Sequence, residues 1–183
     1  MSATATHGII LSTADWGQAG QLFTIYSRQL GKIRAVARGV KKITSKLSGH
    51  LQPFLIIEFE LAHGRGFEHI TGVSTVKSFS RISQQYEAIL SALFAMELLD
   101  QLTDLGQADE QLWELLVDYF LFLDTQAGTS AEELKIYRRK FVIKLLTVLG
   151  YQPPETVAKD PKQLSYFLRD HLRQPLKISQ YFR

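Results

Sequence analysis

The sequence predicts an α+β fold, a small five-stranded barrel followed by an all-helical domain, on three observations. Hydrophobic periodicity changes near residue 80, from the two-residue alternation of half-buried strands to the spacing of amphipathic helices. Glycine-containing and polar breaks punctuate the first part at intervals suited to short strands. Charge changes close by: residues before Ser83 hold 10 basic and 4 acidic side chains and the rest hold 11 and 14, so the parts carry +6 and −3. Two domains are therefore expected, 1–80 and 81–183, and 183 residues at 45% hydrophobic content can bury a core in each.

Five strands are expected in the first part: Gly8 to Ser12, Gln21 to Arg28, Lys32 to Gly39, Phe54 to Ala62 and Phe67 to Val76. In the third, Lys32, Arg34 and Arg38 point one way while Ile33, Ala35 and Ala37 point the other, so the basic side is read as the wet side. In the fourth, Leu55, Ile57, Phe59 and Leu61 share a face opposite Ile56, Glu58 and Glu60, and Gly64-Arg65-Gly66 turns the chain into the fifth. Five short antiparallel strands with a break at Thr44 to Gly49, between the third and fourth, match the oligonucleotide-binding (OB) barrel, with other small barrels still open.

Beyond Ser83, Ile89, Leu90, Leu93, Phe94 and Leu98 form one helical stripe, and Leu112, Leu115, Leu116, Tyr119, Phe120 and Leu123 another, with Asp109 as a candidate cap. A third helix is expected over Ala131 to Leu149, opened by Thr129 and Glu132 in capping-box spacing and closed by Gly150 ahead of Pro153 and Pro154. Asp160-Pro161 starts a fourth. No Gly/Ser-rich linker separates the halves, so they are expected to pack together.

The run from Arg28 to Lys46 carries Arg28, Lys32, Arg34, Arg38, Lys41, Lys42 and Lys46 without an Asp or Glu among them. Displayed on a rigid sheet, such a run suits phosphates, and Tyr26 and Phe23 on the neighbouring strand would stack bases or fill the core. The competing reading is a solvated strand face kept basic for solubility. Gly64-Arg65-Gly66 is either a plain turn or a backbone phosphate cradle with Arg65 at its tip. In the third helix, Lys135, Arg138, Arg139, Lys140 and Lys144 sit among Tyr137, Phe141 and Leu145, a mixture that suits an acidic peptide tail or simply inward packing with cations outside.

Enzymatic signals are weak. With no cysteine there is no disulfide, thiolate metal site or cysteine nucleophile. No HExxH, P-loop or GxSxG string occurs, and His7, His50, His63, His69 and His171 are scattered. Glu58 and Glu60 at two-residue spacing make a thin case for a metal-dependent nuclease. Met1 to His7 lacks signal-peptide character and no apolar run approaches the ~20 residues of a membrane span, so the expectation is a cytoplasmic, non-enzymatic chain without membrane contact.

Several strings resemble the bacterial recombination mediator family RecO. Gly8-Ile9-Ile10-Leu11, Asp15 and Leu22-Phe23-Thr24 are similar to its opening strands. Gly31-Lys32-Ile33-Arg34-Ala35-Val36-Ala37-Arg38-Gly39-Val40-Lys41-Lys42, Ser45-Lys46-Leu47 and Leu51-Gln52-Pro53-Phe54 resemble its most recognisable block. Glu97-Leu98-Leu99-Asp100, Leu145-Leu146 to Gly150-Tyr151 with Pro153, and Leu176-Lys177-Ile178-Ser179 have counterparts further on. The resemblance implies an N-terminal OB domain on a helical domain and a role in recombinational DNA repair: binding single- and double-stranded DNA, annealing strands, engaging the acidic C-terminal tail of single-stranded DNA-binding protein, and, with RecR, helping RecA onto coated DNA.

Carried onto this sequence, the resemblance assigns DNA contact to Arg34, Arg38, Lys41, Lys42 and Lys46, with Lys32, Arg28 and Arg65 as weaker candidates. Lys135, Arg138, Arg139 and Phe141 become the candidate dock for the tail. Many RecO proteins place a four-cysteine zinc module after the segment matching Gly150-Tyr151-Gln152-Pro153. This chain has no cysteine and only a short stretch before Asp160, so no zinc or other cofactor is expected. The alternative reading is a protein adaptor for RecR and single-stranded DNA-binding protein that touches DNA feebly.

Overall fold

The computed structural model describes residues 5–42, 44–64, 66–125 and 129–181. It divides into two compact units: one runs to Phe79 and takes in Thr103–Asp109, and the other comprises Ser80–Leu102 with Glu110–Arg183. The chain thus leaves the first unit at Phe79, returns to it for one short segment, and leaves again, where the sequence suggested a single cut near residue 80.

The first unit is a closed barrel of β1 (Thr6–Trp16), β2 (Gly20–Ser27), β3 (Gly31–Ala37), β4 (Leu55–Ala62) and β5 (Glu68–Ser78), in the order β1-β2-β3-β5-β4. This is the oligonucleotide-binding arrangement. Neighbours are antiparallel except β3 and β5, which run parallel with Ala35 opposite Glu68 and Val36 opposite His69. An odd number of strands cannot alternate direction around a closed ring, so the all-antiparallel expectation had to fail at one pair.

The alternation read from the sequence sets the interior. Ile57 and Phe59 of β4 and Ala35 and Ala37 of β3 are buried together with Phe23, Ile25 and Ile70, while Glu58 and Glu60 are exposed. Small alanines on β3 make room for the rings opposite, as close packing requires. Val40 and Leu51, from the connection between β3 and β4, complete the same core. A break in register between Ile10 and Ser12 bends β1, and its far end from Ser12 to Trp16 is exposed.

Thr103–Asp109 docks on the start of β3. The Gly106 amide donates to the Lys32 carbonyl at 2.8 Å, and Leu105 makes a parallel bridge to Lys32. Gly31 lies at φ +65°, and a Cβ there would overlap the Gln107 carbonyl. Glycine is therefore required both for the left-handed turn and for the close approach of backbone.

The second unit contains α1 (Tyr86–Leu102), α2 (Glu110–Thr125), α3 (Ala131–Val148), α4 (Glu155–Lys159) and α5 (Pro161–His171). Among the described residues no helix is long and apolar enough to cross a membrane. Helix α1 is buried on most sides, through Ala88, Leu90, Ala92, Phe94, Leu98 and Leu99 among others. Tyr119 of α2 stacks on Phe141 of α3 with centroids 4.3 Å apart, and Phe122 on Tyr137 at 3.6 Å. The Glu97 carboxylate accepts the Lys177 and Ile178 amides at 2.7 and 3.0 Å, pinning the C-terminal turn to α1. Two of the strings that resembled RecO thus meet in space.

The capping box of α3 lies one residue later than Thr129 and Glu132. Ser130 Oγ accepts the Glu133 amide at 3.3 Å and the Ser130 amide donates to Glu133 Oε2 at 3.1 Å, while Glu132 pairs with Lys135. The bonds from Ser130 hold the Glu133 carboxyl below its ordinary range. The far end closes as expected, with Gly150 at φ +84° and the Tyr151 amide reaching the Leu146 carbonyl at 2.9 Å. Asp160 caps α5 by accepting the Lys162 amide at 2.8 Å, and the short helix α4 precedes it, where the sequence suggested only a connection.

Gly31→Ala is expected to destabilise the first unit by about 2–4 kcal/mol, because strain at positive φ adds to a backbone overlap. Gly17→Ala, at φ +60° with nothing within 4 Å of its Cβ, costs about 1 kcal/mol or less. Urea unfolding of the two variants, compared with the parent, checks the difference.

Candidate nucleic-acid interface

The seven cations of the Arg28 to Lys46 run do not form one patch. Arg28 sits exposed in the β2–β3 turn, its amide bonded to the His7 carbonyl at 3.0 Å. Arg38 follows the other end of β3, so a strand length of roughly 25 Å separates them. Lys32 is only 2% exposed, which overturns its place on the wet face: the returning Leu105–Gly106 backbone runs beside it. Its cross-strand neighbour Tyr26 is buried by the same return, with its hydroxyl donating to the Asp109 carbonyl at 3.4 Å. Burial, reinforced by the Asp109 charge, pushes the Tyr26 phenol up to about 12. Tyr26 and Phe23 are core residues and offer no ring to a base.

Beyond the covered stretch the basic face opens. Arg34 on β3, then Arg38, Lys41, Lys42 and Lys46 after it, are all exposed. Lys41 is tied to the β1–β2 turn by its amide to the Ala19 carbonyl, 3.3 Å, and by Nζ to Asp15 Oδ1, 2.6 Å. Lys41 is thereby anchored to the rim of the barrel. Arg65 lies outside the described residues.

The aromatic side chains of this rim, Trp16 exposed and Phe67 partly buried, were not identified from the sequence. Trp16, the last residue of β1, is 42% exposed and meets Phe67 edge to face, with centroids 4.8 Å apart and planes at 70°. Phe67 precedes β5 and, because Ala35 stands opposite Glu68, lies beside Arg34. Arg34 and Phe67 share a shallow depression of about 430 Å³ with His63 and Gly64. Gly64 is fixed by crowding, since a Cβ would overlap the His69 ring and the Phe67 carbonyl. The sequence signal was a lone aromatic beside a turn glycine at each tip, Trp16-Gly17 and Gly66-Phe67.

The described residues hold no group of three or more His, Cys, Asp or Glu that could bind a metal ion. Glu58 instead faces His7, with 3.7 Å between carboxylate and imidazole.

In the helical unit, a cleft of about 810 Å³ is floored by Phe94, Ile136, Val142, Leu164 and Leu168 and edged by Lys135, Arg138, Arg139 and Arg169. Arg138 is half-buried with its guanidinium 5.9 Å from the Phe94 ring centre. Burial lowers its pKa, while Tyr119 and Glu87 act in the opposite direction. Phe141, expected on the docking face, is 2% exposed and belongs to the core, because its ring is spent on Tyr119. The α5 contributions, Leu164, Leu168 and Arg169, could not be joined to α3 from sequence spacing.

A closed barrel of this strand order with a basic, aromatic-bearing rim defines an OB-fold protein with an added helical domain. Two family models match it, Recombination protein O N terminal over residues 1–79 and Recombination protein O C terminal over residues 83–157. The chain belongs to the RecO family. It is similar to the DNA repair protein RecO of Pelotomaculum thermopropionicum, 37% identical over 79% of this chain and 54% of the relative. It is also similar to those of Geobacter sulfurreducens, 35% over 79% and 57%, and Geobacter metallireducens, 32% over 83% and 60%. The chain spans little more than half the length of these curated relatives.

Phe141→Ala is expected to cost about 3–5 kcal/mol through the cavity and the lost stack on Tyr119. Chemical denaturation measures it, and any loss of partner binding in this variant should track the loss of fold.

Proposed function

We propose that this chain is a non-enzymatic recombination mediator of DNA repair that works in the cytoplasm and binds single- and double-stranded DNA through the barrel rim. The observation that carries this reading is the exposed series Arg34, Arg38, Lys41, Lys42 and Lys46, anchored on an OB barrel in a RecO-family chain. Phosphate neutralisation releases counterions and holds two strands at high local concentration, so complementary bases pair faster than by free diffusion. This mechanism uses charge and position, and no side chain needs a tuned pKa. Lys32 is left out because it is buried, and Arg28 because it lies at the opposite end of the strands.

The helical cleft supports the second half of the reading. An apolar floor edged by Arg139 and Arg169 suits an acidic peptide ending in apolar residues and a carboxylate. We assign it to the C-terminal tail of single-stranded DNA-binding protein, and we place RecR as a further partner in helping RecA onto DNA. A chain that used only this cleft would be the adaptor of the alternative reading.

Anisotropy of a labelled single-stranded oligonucleotide across a salt series separates the two. The wild type should lose affinity with a slope of about −0.7 per phosphate contact, and reversing Arg34, Arg38 and Lys41 to Glu should flatten that slope by about 2. A labelled tail peptide should still bind the triple variant and lose affinity with Arg139→Glu and Arg169→Glu. Weak DNA binding indifferent to the triple reversal would establish the adaptor instead.

A further inference from the structure

We propose that Trp16 and Phe67 form a stacking platform for unpaired bases, which makes the barrel rim select single-stranded DNA over duplex. The inference rests on the nucleic-acid reading above and adds to it the form of DNA that is preferred.

Trp16 is 42% exposed and Phe67 partly exposed, so the pair leaves aromatic surface open to solvent at the rim. An edge-to-face pair covers at most one ring face between its two members, so the contact itself leaves faces free for a base. Trp16 stands opposite Gly20 beside the β1–β2 turn, and Phe67 directly precedes β5.

Charge surrounds the pair on both sides. On the Trp16 side, Gln21 stands opposite Ala37, which brings Arg38 to this end of the barrel, and Lys41 bonds to Ala19 and Asp15 of the same turn. On the Phe67 side stands Arg34. Two carboxylates share the area, Asp15 against Lys41 and Glu68 against His63, each within 2.8 Å of a basic group. A strand crossing from Arg34 to Arg38 can place its phosphates on the guanidinium groups and its bases on the rings. A duplex can satisfy the same cations, but its bases are already stacked on each other and present no free face.

The molecule supplies its own reporter. Trp16 and Trp113 are the two tryptophans, and Trp113 is buried, so Trp113→Phe leaves Trp16 alone to emit. Titration of that variant with a dT oligonucleotide should quench the emission, and a blunt duplex should quench it far less. Trp16→Ala and Phe67→Ala should each weaken dT binding about tenfold or more while leaving duplex affinity and the salt slope in place. Trp16→Phe, which keeps a ring, should retain most of the affinity and remains informative if the alanine variant fails to fold. Salt-dependent binding by the Trp113→Phe variant without quenching, or equal losses on dT and duplex, would overturn the platform and leave the phosphate reading standing. A wild-type chain that binds neither form at low salt would overturn both.

Discussion

The docking of Thr103–Asp109 against the start of β3 decides what the rest of the first unit can do. A glycine at φ +65° lets the Gln107 backbone approach, the Gly106 amide takes the Lys32 carbonyl, and the Tyr26 hydroxyl reaches the Asp109 carbonyl. These contacts involve backbone groups almost throughout, so they depend on shape more than on side-chain identity. Their effect is to withdraw Lys32 and Tyr26 from solvent and to leave Arg34 as the first accessible cation of β3. The usable basic surface begins where this docking ends.

In the proposed reading, the barrel rim combines two kinds of recognition that need little of each other. Cations would act on phosphates over a distance set by screening, with an effect that falls with salt. Rings would act on base faces at contact, with an effect that depends on whether those faces are free. Ion pairing of Lys41 with Asp15 moderates the charge while fixing the lysine at this end of the barrel. The helical unit keeps its own chemistry, an apolar cleft edged with arginines, on a core built from α1 and the stacked rings of α2 and α3.

Local features were legible in the sequence. The alternation in β3 and β4, the stripe of α2, the Gly150 stop and the Asp160 cap all reflect interactions within a few residues, and the structure has them, whereas α1 is buried on most sides and not along one stripe. What the sequence hid depends on contacts between distant segments. Strand alternation correctly put Lys32 opposite Ile33, yet nothing near it announced that Leu105 would run alongside. Phe141 shares a helix with exposed cations, and only the position of Tyr119 shows that its side faces inward. The capping box slipped by one because Thr129 and Ser130 both offer a hydroxyl and Glu132 and Glu133 both offer a carboxylate, so the spacing alone fits either pair. Trp16 and Phe67 lie far apart in sequence and become a pair only when the barrel closes.

The central claim is that the rim holding Trp16, Arg34, Arg38, Lys41 and Phe67 is where this chain meets nucleic acid. Backbone amide shifts of the isotope-labelled protein, followed during titration with a dT oligonucleotide, test it most directly. The shifts should concentrate on residues 15–20, 34–42 and 66–68, with Arg28 and the helical cleft nearly silent. Shifts confined to the cleft, or centred on Arg28 and the opposite end of the strands, would contradict it.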